Sequence, residues 1–188
     1  MVEQPEADLP RSQANVPANQ QTTVANAHPA CRWVLRCAAA VTPAISPALG
    51  FPLPATINTA TTAGERAALM LGPDEWLLLA PEADGAAVDA AIAAALSGSP
   101  HSLVDVSHRQ LALVLEGSRV ERVLNAGVPL DVDVAAFPVG TATRTLFDKA
   151  EIVLWRTAPD AFRIETGRSL LPYLRAMLAE ALAELDVA

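Results

Sequence analysis

The alternation of hydrophobic and polar positions divides the chain into two halves at residues 103–117. Two apolar runs lie in this segment, separated by the polar residues 107–110, and the second run ends at Gly117. Runs rich in leucine and β-branched residues that end at glycine predict extended strands. We interpret the segment as the start of a second half that repeats the first in outline.

Two short motifs recur in the same order on either side of this segment. Residues 50–53 read Gly-Phe-Pro-Leu and residues 127–130 read Gly-Val-Pro-Leu, while Pro-Asp-x-aromatic occurs at 73–76 and again at 159–162. Because proline presets φ and aspartate can bond its own downstream backbone, each Pro-Asp pair predicts a tight turn between two strands. The strands that these turns join are the apolar runs 68–71, 76–80, 152–155 and 162–165.

Each predicted hairpin is followed by an amphipathic segment with helical spacing. Residues 84–96 and 169–185 place apolar side chains on one face, and a shorter helix is expected just before Gly127. The chain therefore predicts an α+β fold, a pseudo-symmetric duplicated β-α-β-β-α unit. We expect the halves to superpose, with Gly50 over Gly127 and Trp76 over Phe162. Residues 76–80 and 151–155 are apolar without alternation, which predicts that both faces of those strands are buried by helices, by the other half or by a partner.

The N-terminal segment differs from the rest in composition. Residues 1–28 contain Pro5, Pro10 and Pro17 among Gln, Asn and Ala, and predict a disordered tail. Ordered structure is expected to begin near Cys31, so that residues 29–188 form a single domain with halves at about 29–100 and 101–188. Cys31 and Cys37 lie in one predicted strand, and their side chains point to the same face of it. They are too far apart along the strand to form a disulfide, so we interpret them as buried thiols.

Composition narrows the classes of partner. The chain is 52% hydrophobic and only 18% charged, against about 25% charged residues in an average soluble domain, which favours burial of surface against another chain. Its formal net charge of −8 disfavours nucleic acid as a ligand. The start of the sequence has no basic and apolar leader, and no apolar run is long enough to cross a bilayer, so we expect a cytoplasmic protein without a membrane partner.

The polar residues of the central segment are the candidates for function. Asp105, Ser107 and His108 have the side chains of a nucleophilic triad, but consecutive residues of an extended strand point to opposite faces and do not converge. We predict instead that Asp105, Ser107, His108, Arg109 and Gln110 make hydrogen bonds at a strand end or contact another subunit.

Arg144 is the other candidate contact with a second chain. Arg109 and Arg144 are also suited to bidentate binding of a carboxylate. The chain has no phosphate-binding glycine loop and no metal-ligand spacing, so we predict no catalytic residue, no cofactor and no metal ligand in this chain.

Several motifs together resemble a known family, the gamma subunit of bacterial heterotetrameric sarcosine oxidase. They are Leu-Gly-Pro-Asp-Glu-Trp at 71–76, Val-Asp-Val-Ser-His-Arg-Gln at 104–110, Phe-Pro-Val-Gly at 137–140 with Thr-Arg-Thr at 143–145, and Lys-Ala-Glu-Ile-Val-Leu-Trp-Arg at 149–156. The resemblance covers about residue 30 to the end, and the Asp-Val-Ser-His element also resembles the wider aminomethyltransferase superfamily.

The resemblance implies a tetrahydrofolate-binding-domain-like fold and a structural role. It implies alpha, beta and delta subunits as partners in an enzyme that oxidatively demethylates sarcosine to glycine, with tetrahydrofolate as one-carbon acceptor and hydrogen peroxide as a product. It assigns FAD, FMN, NAD, zinc and tetrahydrofolate to those partner subunits. The sequence leaves two alternatives open, a free-standing folate-dependent aminomethyl or formyl transferase and an interaction module unrelated to folate.

Overall fold

A computed structural model describes residues 22–187. Most of the predicted tail, residues 1–21, therefore lies outside the described residues. The elements of the first half are β1 (Thr23–Asn26), β2 (Ala30–Cys37), a 3-10 helix (Ala39–Ala44), α1 (Ser46–Leu49), β3 (Ala60–Ala63), β4 (Arg66–Gly72), β5 (Glu75–Pro81), a second 3-10 helix (Glu82–Asp84) and α2 (Gly85–Ala95). Those of the second half are β6 (His101–Asp105), β7 (Gln110–Glu116), α3 (Val120–Asn125), β8 (Ala142–Phe147), β9 (Ala150–Ala158), β10 (Ala161–Gly167) and α4 (Leu171–Val187).

The predicted α+β fold and both predicted hairpins are confirmed. Pro73 and Asp74 form the turn between β4 and β5, and Pro159 and Asp160 form the turn between β9 and β10. α2 follows the first hairpin and α4 follows the second. The predicted β-α-β-β-α unit was incomplete, since each half has two more strands and the order β-β-α-β-β-β-α. The additional strands are short or lie at sheet edges, where a side-chain pattern over few residues carries little information.

The strands form two five-stranded antiparallel sheets that exchange their edges. One sheet has the order β3-β4-β5-β2-β6 and the other has the order β1-β7-β10-β9-β8. Each half therefore contributes its first strand, β1 or β6, to the sheet of the other half. With that exchange included, the two strand orders correspond position by position.

The exchange corrects the predicted start of ordered structure. Thr23–Asn26 lies within the predicted tail, yet it forms β1 and pairs antiparallel with β7, with Val24 opposite Leu115. Backbone hydrogen bonds to an existing strand hold this four-residue segment, and only Val24 of β1 packs against the core. The tail sequence has no alternation that would have revealed it.

Three hydrophobic layers hold the sheets and helices together. The outer layers lie between each sheet and its helices: Trp33, Trp76 and Ile92 belong to the first, and Phe162 and Leu178 to the second. The middle layer lies between the sheets and includes Leu69, Leu77, Leu79, Ala142 and Val153. β5 is buried on both faces, as its unbroken apolar sequence predicted, and the second half rather than a partner covers the inner face. Trp76 is buried, and its Nε1 donates to the Pro54 carbonyl oxygen at 3.0 Å.

Gly50 and Gly127, the glycines of the recurring motif, are required for different structural reasons. Gly50 ends α1 with φ of +91°, a left-handed conformation that favours glycine. Gly127 follows α3, and an added Cβ would lie 2.6 Å from the Phe147 ring. The first position thus requires the backbone freedom of glycine, and the second requires its small size.

Candidate interaction site

The predicted site residues occupy one turn and one edge strand. Asp105 ends β6, residues 107–109 form a turn, and Gln110 begins β7. The two extended segments with a polar interruption are therefore confirmed, but the extended chain breaks before Ser107. Arg144 lies on β8, at the edge of the other sheet.

The side chains of Asp105 and Ser107 both accept hydrogen bonds from backbone N–H groups of this chain. The Asp105 carboxylate accepts from the Ser107 backbone N–H at 2.8 Å, and the Ser107 hydroxyl oxygen accepts from the Arg32 backbone N–H at 2.9 Å. Hydrogen bonding from Ser107 lowers the pKa of Asp105. The hydrogen bond from Arg32 joins the turn to β2. Asp105 and Ser107 thus make hydrogen bonds at a strand end, which is one of the two roles predicted for them.

His108 and Arg109 face solvent at the tip of the turn. Both side chains are exposed. The His108 carbonyl oxygen accepts from Nε of Arg168 at 3.0 Å, and the Arg109 carbonyl oxygen accepts from the Arg168 backbone N–H at 2.8 Å. The turn is thereby fixed to the end of β10.

Arg109, Gln110 and Arg144 meet at a cleft of about 800 Å³, which we call the second-half cleft. The structure thus brings together three of the six predicted contact residues. The cleft is also lined by residues from β8, β9 and the end of β10, among them Leu146, Glu151, Ile152, Glu165, Arg168 and Leu170. The Gln110 side-chain oxygen is buried there without a hydrogen-bond partner among the described residues.

Two groups of charged side chains lie between the sheets, and sequence reasoning missed them. Glu165 accepts from Nε of Arg32 at 2.6 Å and from Nε of Arg163 at 2.7 Å. The second carboxylate, Glu75, accepts from Arg36 and from Arg144. The signal available in the sequence was a glutamate within or beside an apolar strand, because a buried carboxylate needs a charged partner.

Each of these groups joins the two sheets. Arg32 lies on β2 and Glu165 on β10, while Glu75 lies on β5 and Arg144 on β8. Burial alone would raise the pKa of Glu75, but the hydrogen bonds and charges of Arg144 and Arg36 outweigh burial and lower it. The predicted contact residue Arg144 therefore already holds a carboxylate of its own chain.

Both cysteines carry free thiols. Cys37 is buried, whereas Cys31 is half-buried, and both pack against the layer beneath α2. Burial raises the pKa of each thiol, and the charges of Asp105 and Glu82 raise that of Cys31 further.

The described part of the chain has neither a metal-binding cluster nor a helix suited to a membrane. Residues 22–187 contain no group of three or more His, Cys, Asp or Glu side chains placed to hold a metal ion. Within the same range, no helix combines the length and the apolar character needed to span a bilayer.

Two solved structures share the fold. Aminomethyltransferase T of the glycine cleavage system from Bartonella henselae superposes with a TM-score of 0.67 at 15% identity, over 86% of this chain and 46% of that one. A chain of the heterotetrameric sarcosine oxidase from Corynebacterium sp. U-96, in complex with pyrrole 2-carboxylate, superposes with a TM-score of 0.85 at 28% identity, over 92% of this chain and 89% of that one. Two facing antiparallel sheets with helices outside thus define a folate-binding-like α+β protein.

Sequence comparison gives the family within that class. The family described as "Sarcosine oxidase, gamma subunit family" matches residues 36–184. The sarcosine oxidase subunit gamma of Arthrobacter sp is 36% identical over 122 residues, which are 64% of this chain and 59% of that protein. The subunit gamma of Corynebacterium sp. (strain P-1) is 33% identical over 142 residues, 75% of this chain and 69% of that protein. The chain belongs to the sarcosine oxidase gamma subunit family, and its match spans less than two thirds of the Arthrobacter relative.

Proposed function

We propose that this chain is a non-catalytic structural subunit of a sarcosine oxidase complex. The complex would oxidatively demethylate sarcosine to glycine, with tetrahydrofolate as one-carbon acceptor and hydrogen peroxide as a product. One observation carries the proposal: 92% of the chain superposes on a chain of a heterotetrameric sarcosine oxidase with a TM-score of 0.85. The match of residues 36–184 to the gamma subunit family supports it.

The proposal assigns the chemistry to other chains. Alpha, beta and delta subunits are the proposed partners, and they hold FAD, FMN, NAD, zinc and tetrahydrofolate. The complex is proposed to be cytoplasmic. This chain supplies no catalytic, cofactor-binding or metal-binding residue in the proposal. The resemblance of the motifs to the gamma subunit supports this division of roles.

We further propose that the end of β6, the turn after it and Arg144 on β8 contact another subunit. The contact residues are Asp105, Ser107, His108, Arg109, Gln110 and Arg144. β6 is an edge strand whose outer backbone groups have no neighbouring strand in its sheet, and such edges are templates for pairing with another chain. Val104 on this strand is 50% exposed.

The test is co-expression with the alpha, beta and delta chains of a sarcosine oxidase. Expressed alone, the chain should be colourless, lack oxidase activity and self-associate. Expressed with its partners, it should purify in one complex at equal stoichiometry. A well-behaved monomer that binds a reduced folate tightly and fails to join the flavoproteins would support the transferase alternative instead.

A matched pair of substitutions tests the proposed contact surface. Val104→Lys places a charge on β6, and Val134→Lys places the same charge at a residue of similar exposure, 48%, in the segment after α3. We expect Val104→Lys to reduce the yield of complex about 10-fold or more, because a buried charge without a partner destabilises an interface. The Val134 variant should assemble like the parent. Loss of assembly with Val134→Lys and not with Val104→Lys would move the interface away from β6.

A further inference from the structure

The second-half cleft has a counterpart in the first half, related to it by the duplication. The counterpart is a cleft of about 440 Å³, lined by residues that include His28, Ala30, Thr62, Glu65 and Leu79, and we call it the first-half cleft. In both cases the linker before the second strand, the outer hairpin and the end of the last strand form the walls. The two clefts therefore lie at corresponding places in the duplicated fold, and the first-half cleft has a further wall from the opposite sheet, formed by Val114, Glu116, Trp155, Thr157 and Arg163.

Hydrogen bonds at the hairpin turns fix which positions correspond. The Cys37 backbone N–H donates to the Asp74 carbonyl oxygen at 3.1 Å, and the Gly117 N–H donates to the Asp160 carbonyl oxygen at 2.9 Å. Counting along β2 and β7 from these bonds, and along β5 and β10 from the turns, aligns the cleft residues. Strand pairing carries the alignment to the outer hairpins, because Ala67 lies opposite Leu79 as Val153 lies opposite Glu165.

The corresponding positions have diverged in polarity. The pairs, first half before second half, are Pro29 and Arg109, Ala30 and Gln110, Thr62 and Arg144, Leu79 and Glu165, and Glu82 and Arg168. The first half folds with uncharged residues at four of these positions and with a carboxylate at the fifth. The three arginines of the second-half cleft are therefore not a requirement of this place in the fold.

Glu165 and Arg144 have oppositely charged partners within the chain, whereas Arg109 and Arg168 have none among the described residues. Glu165 is paired with Arg32 and Arg163, and Arg144 is paired with Glu75. Arg168 uses only its Nε, which donates to the His108 carbonyl oxygen.

The remaining guanidinium group is that of Arg109. Its N–H donors have no acceptor among the described residues, and the backbones of Arg109 and Arg168 are joined by a hydrogen bond of 2.8 Å. Glu151 is the one other carboxylate lining the cleft. The guanidinium groups of Arg109 and Arg168 and the carboxylate of Glu151 together give the cleft a net charge of about +1. The whole chain, in contrast, has a formal net charge of −8.

The other lining residues include the polar side chains of Thr145, Thr166 and Ser169 and the apolar side chains of Leu146 and Val153. Leu146, which is 41% exposed, and Val153 lie on the sheet face that carries Arg144, whereas Ile152 lies on the opposite face, in the layer beneath α4. A volume of about 800 Å³ lies within the range of about 300–1,000 Å³ typical of small-molecule sites. An anionic group at the arginines and an apolar body along Leu146 and Val153 would fill both parts.

We propose that the second-half cleft binds an organic monocarboxylic acid with an apolar body. Arg109 and Arg168 hold the carboxylate, because the planar guanidinium group matches a carboxylate in bidentate geometry. Leu146 and Val153 contact the body of the ligand. The proposal concerns the chain itself and does not rest on its assembly with other subunits.

The experiment titrates the full chain at low salt with 4-phenylbutyrate and, separately, with 4-phenyl-1-butanol, which has the same body without the charge. Amide and arginine Nε–H resonances in nitrogen-15 spectra locate the binding. We expect saturable shifts at Arg109 and Arg168, with the acid bound about 10-fold or more tightly than the alcohol, since hydrogen bonds to charged groups are the stronger ones. Arg109→Gln and Arg168→Gln should each weaken binding of the acid about 10-fold.

The control is Arg122→Gln, which removes an exposed arginine of α3 away from the cleft and should leave binding unchanged. Equal binding of acid and alcohol would overturn the proposal, as would shifts confined to the first-half cleft. The absence of saturable binding of the acid would overturn it as well. If the Arg109→Gln variant then also fails to form the complex, the arginines are assigned to the contact with another subunit proposed above.

Discussion

The two charged groups between the sheets allow one substitution to be compared in two settings. Glu165→Gln and Glu75→Gln each preserve the size of the side chain and remove its charge. The exposed fraction of the arginine partners differs sharply: 4% for Arg32 and 16% for Arg163 beside Glu165, against 57% for Arg36 and 52% for Arg144 beside Glu75. The consequence of losing the carboxylate should differ accordingly.

Removing the charge of Glu165 leaves the Arg32 guanidinium group buried without its counter-ion. Breaking a buried pair in this way costs about 3–5 kcal/mol in the free energy of unfolding. In the Glu75 variant, Arg36 and Arg144 can turn towards water, so we expect these two pairs, whose arginines are exposed, to contribute together only about 1–2 kcal/mol. We therefore expect Glu165→Gln to be the more destabilising variant by about 2–3 kcal/mol.

Urea unfolding at pH 7, followed by far-ultraviolet circular dichroism, measures the difference. With a slope of about 2 kcal/mol per molar urea, the midpoint should fall by about 1.5–2.5 M for Glu165→Gln and by about 0.5–1 M for Glu75→Gln. Glu116→Gln, an exposed carboxylate at the end of β7, is the control and should unfold like the parent. Equal midpoints for the Glu165 and Glu75 variants would refute the argument that partner burial sets the cost.

Four further predictions follow from the packing and the turn. Trp76→Ala should cost about 3–5 kcal/mol through lost burial and a residual cavity, and a thermal melt within about two degrees of the parent would contradict its burial. Gly127→Ala should cost about 1–3 kcal/mol, since the added methyl meets the Phe147 ring, and chemical denaturation measures it against the parent. The lowered pKa of Glu75 contributes stability that is present at neutral pH and lost as the pH falls below the ordinary value of 4.5, so the urea midpoints of the parent and Glu75→Gln should converge between pH 6 and pH 3. His108→Ala should leave the rate of flavin reduction in an assembled complex unchanged, and a loss of several orders of magnitude would show that the imidazole acts on the substrate or the flavin.

The parts of the fold that the sequence predicted depend on local chemistry. Pro73 and Pro159 preset the turns, and the leucine spacing of α4 marks one face over many turns of helix. Such signals need only neighbouring residues, and both were read correctly. The burial of β5 on two faces was also predictable, because an unbroken apolar strand has no face suited to water.

The parts that were not predictable depend on contacts between distant residues. Arg32 and Glu165 are separated by 133 positions, and Glu75 and Arg144 by 69. No spacing rule relates such residues, so neither charged group between the sheets could be assigned in advance. Among the site residues, the sequence marked Arg109, Gln110 and Arg144 individually, but the cleft that unites them exists only once β7 and β8 lie in one sheet.

The exchange of edge strands links the fold to the position of both clefts. Because β1 and β6 belong to the opposite sheets, the chain must cross from one sheet to the other at residues 27–29 and again at 106–109. Each crossing leaves the end of its sandwich open beside the outer hairpin, and that opening is the cleft. Pro29 and Arg109 are exposed positions of these crossings, so substitutions at these two positions disturb little of the core. The duplicated fold thus supplies two equivalent openings whose side chains can diverge independently, which is how one came to hold Pro29 and the other Arg109.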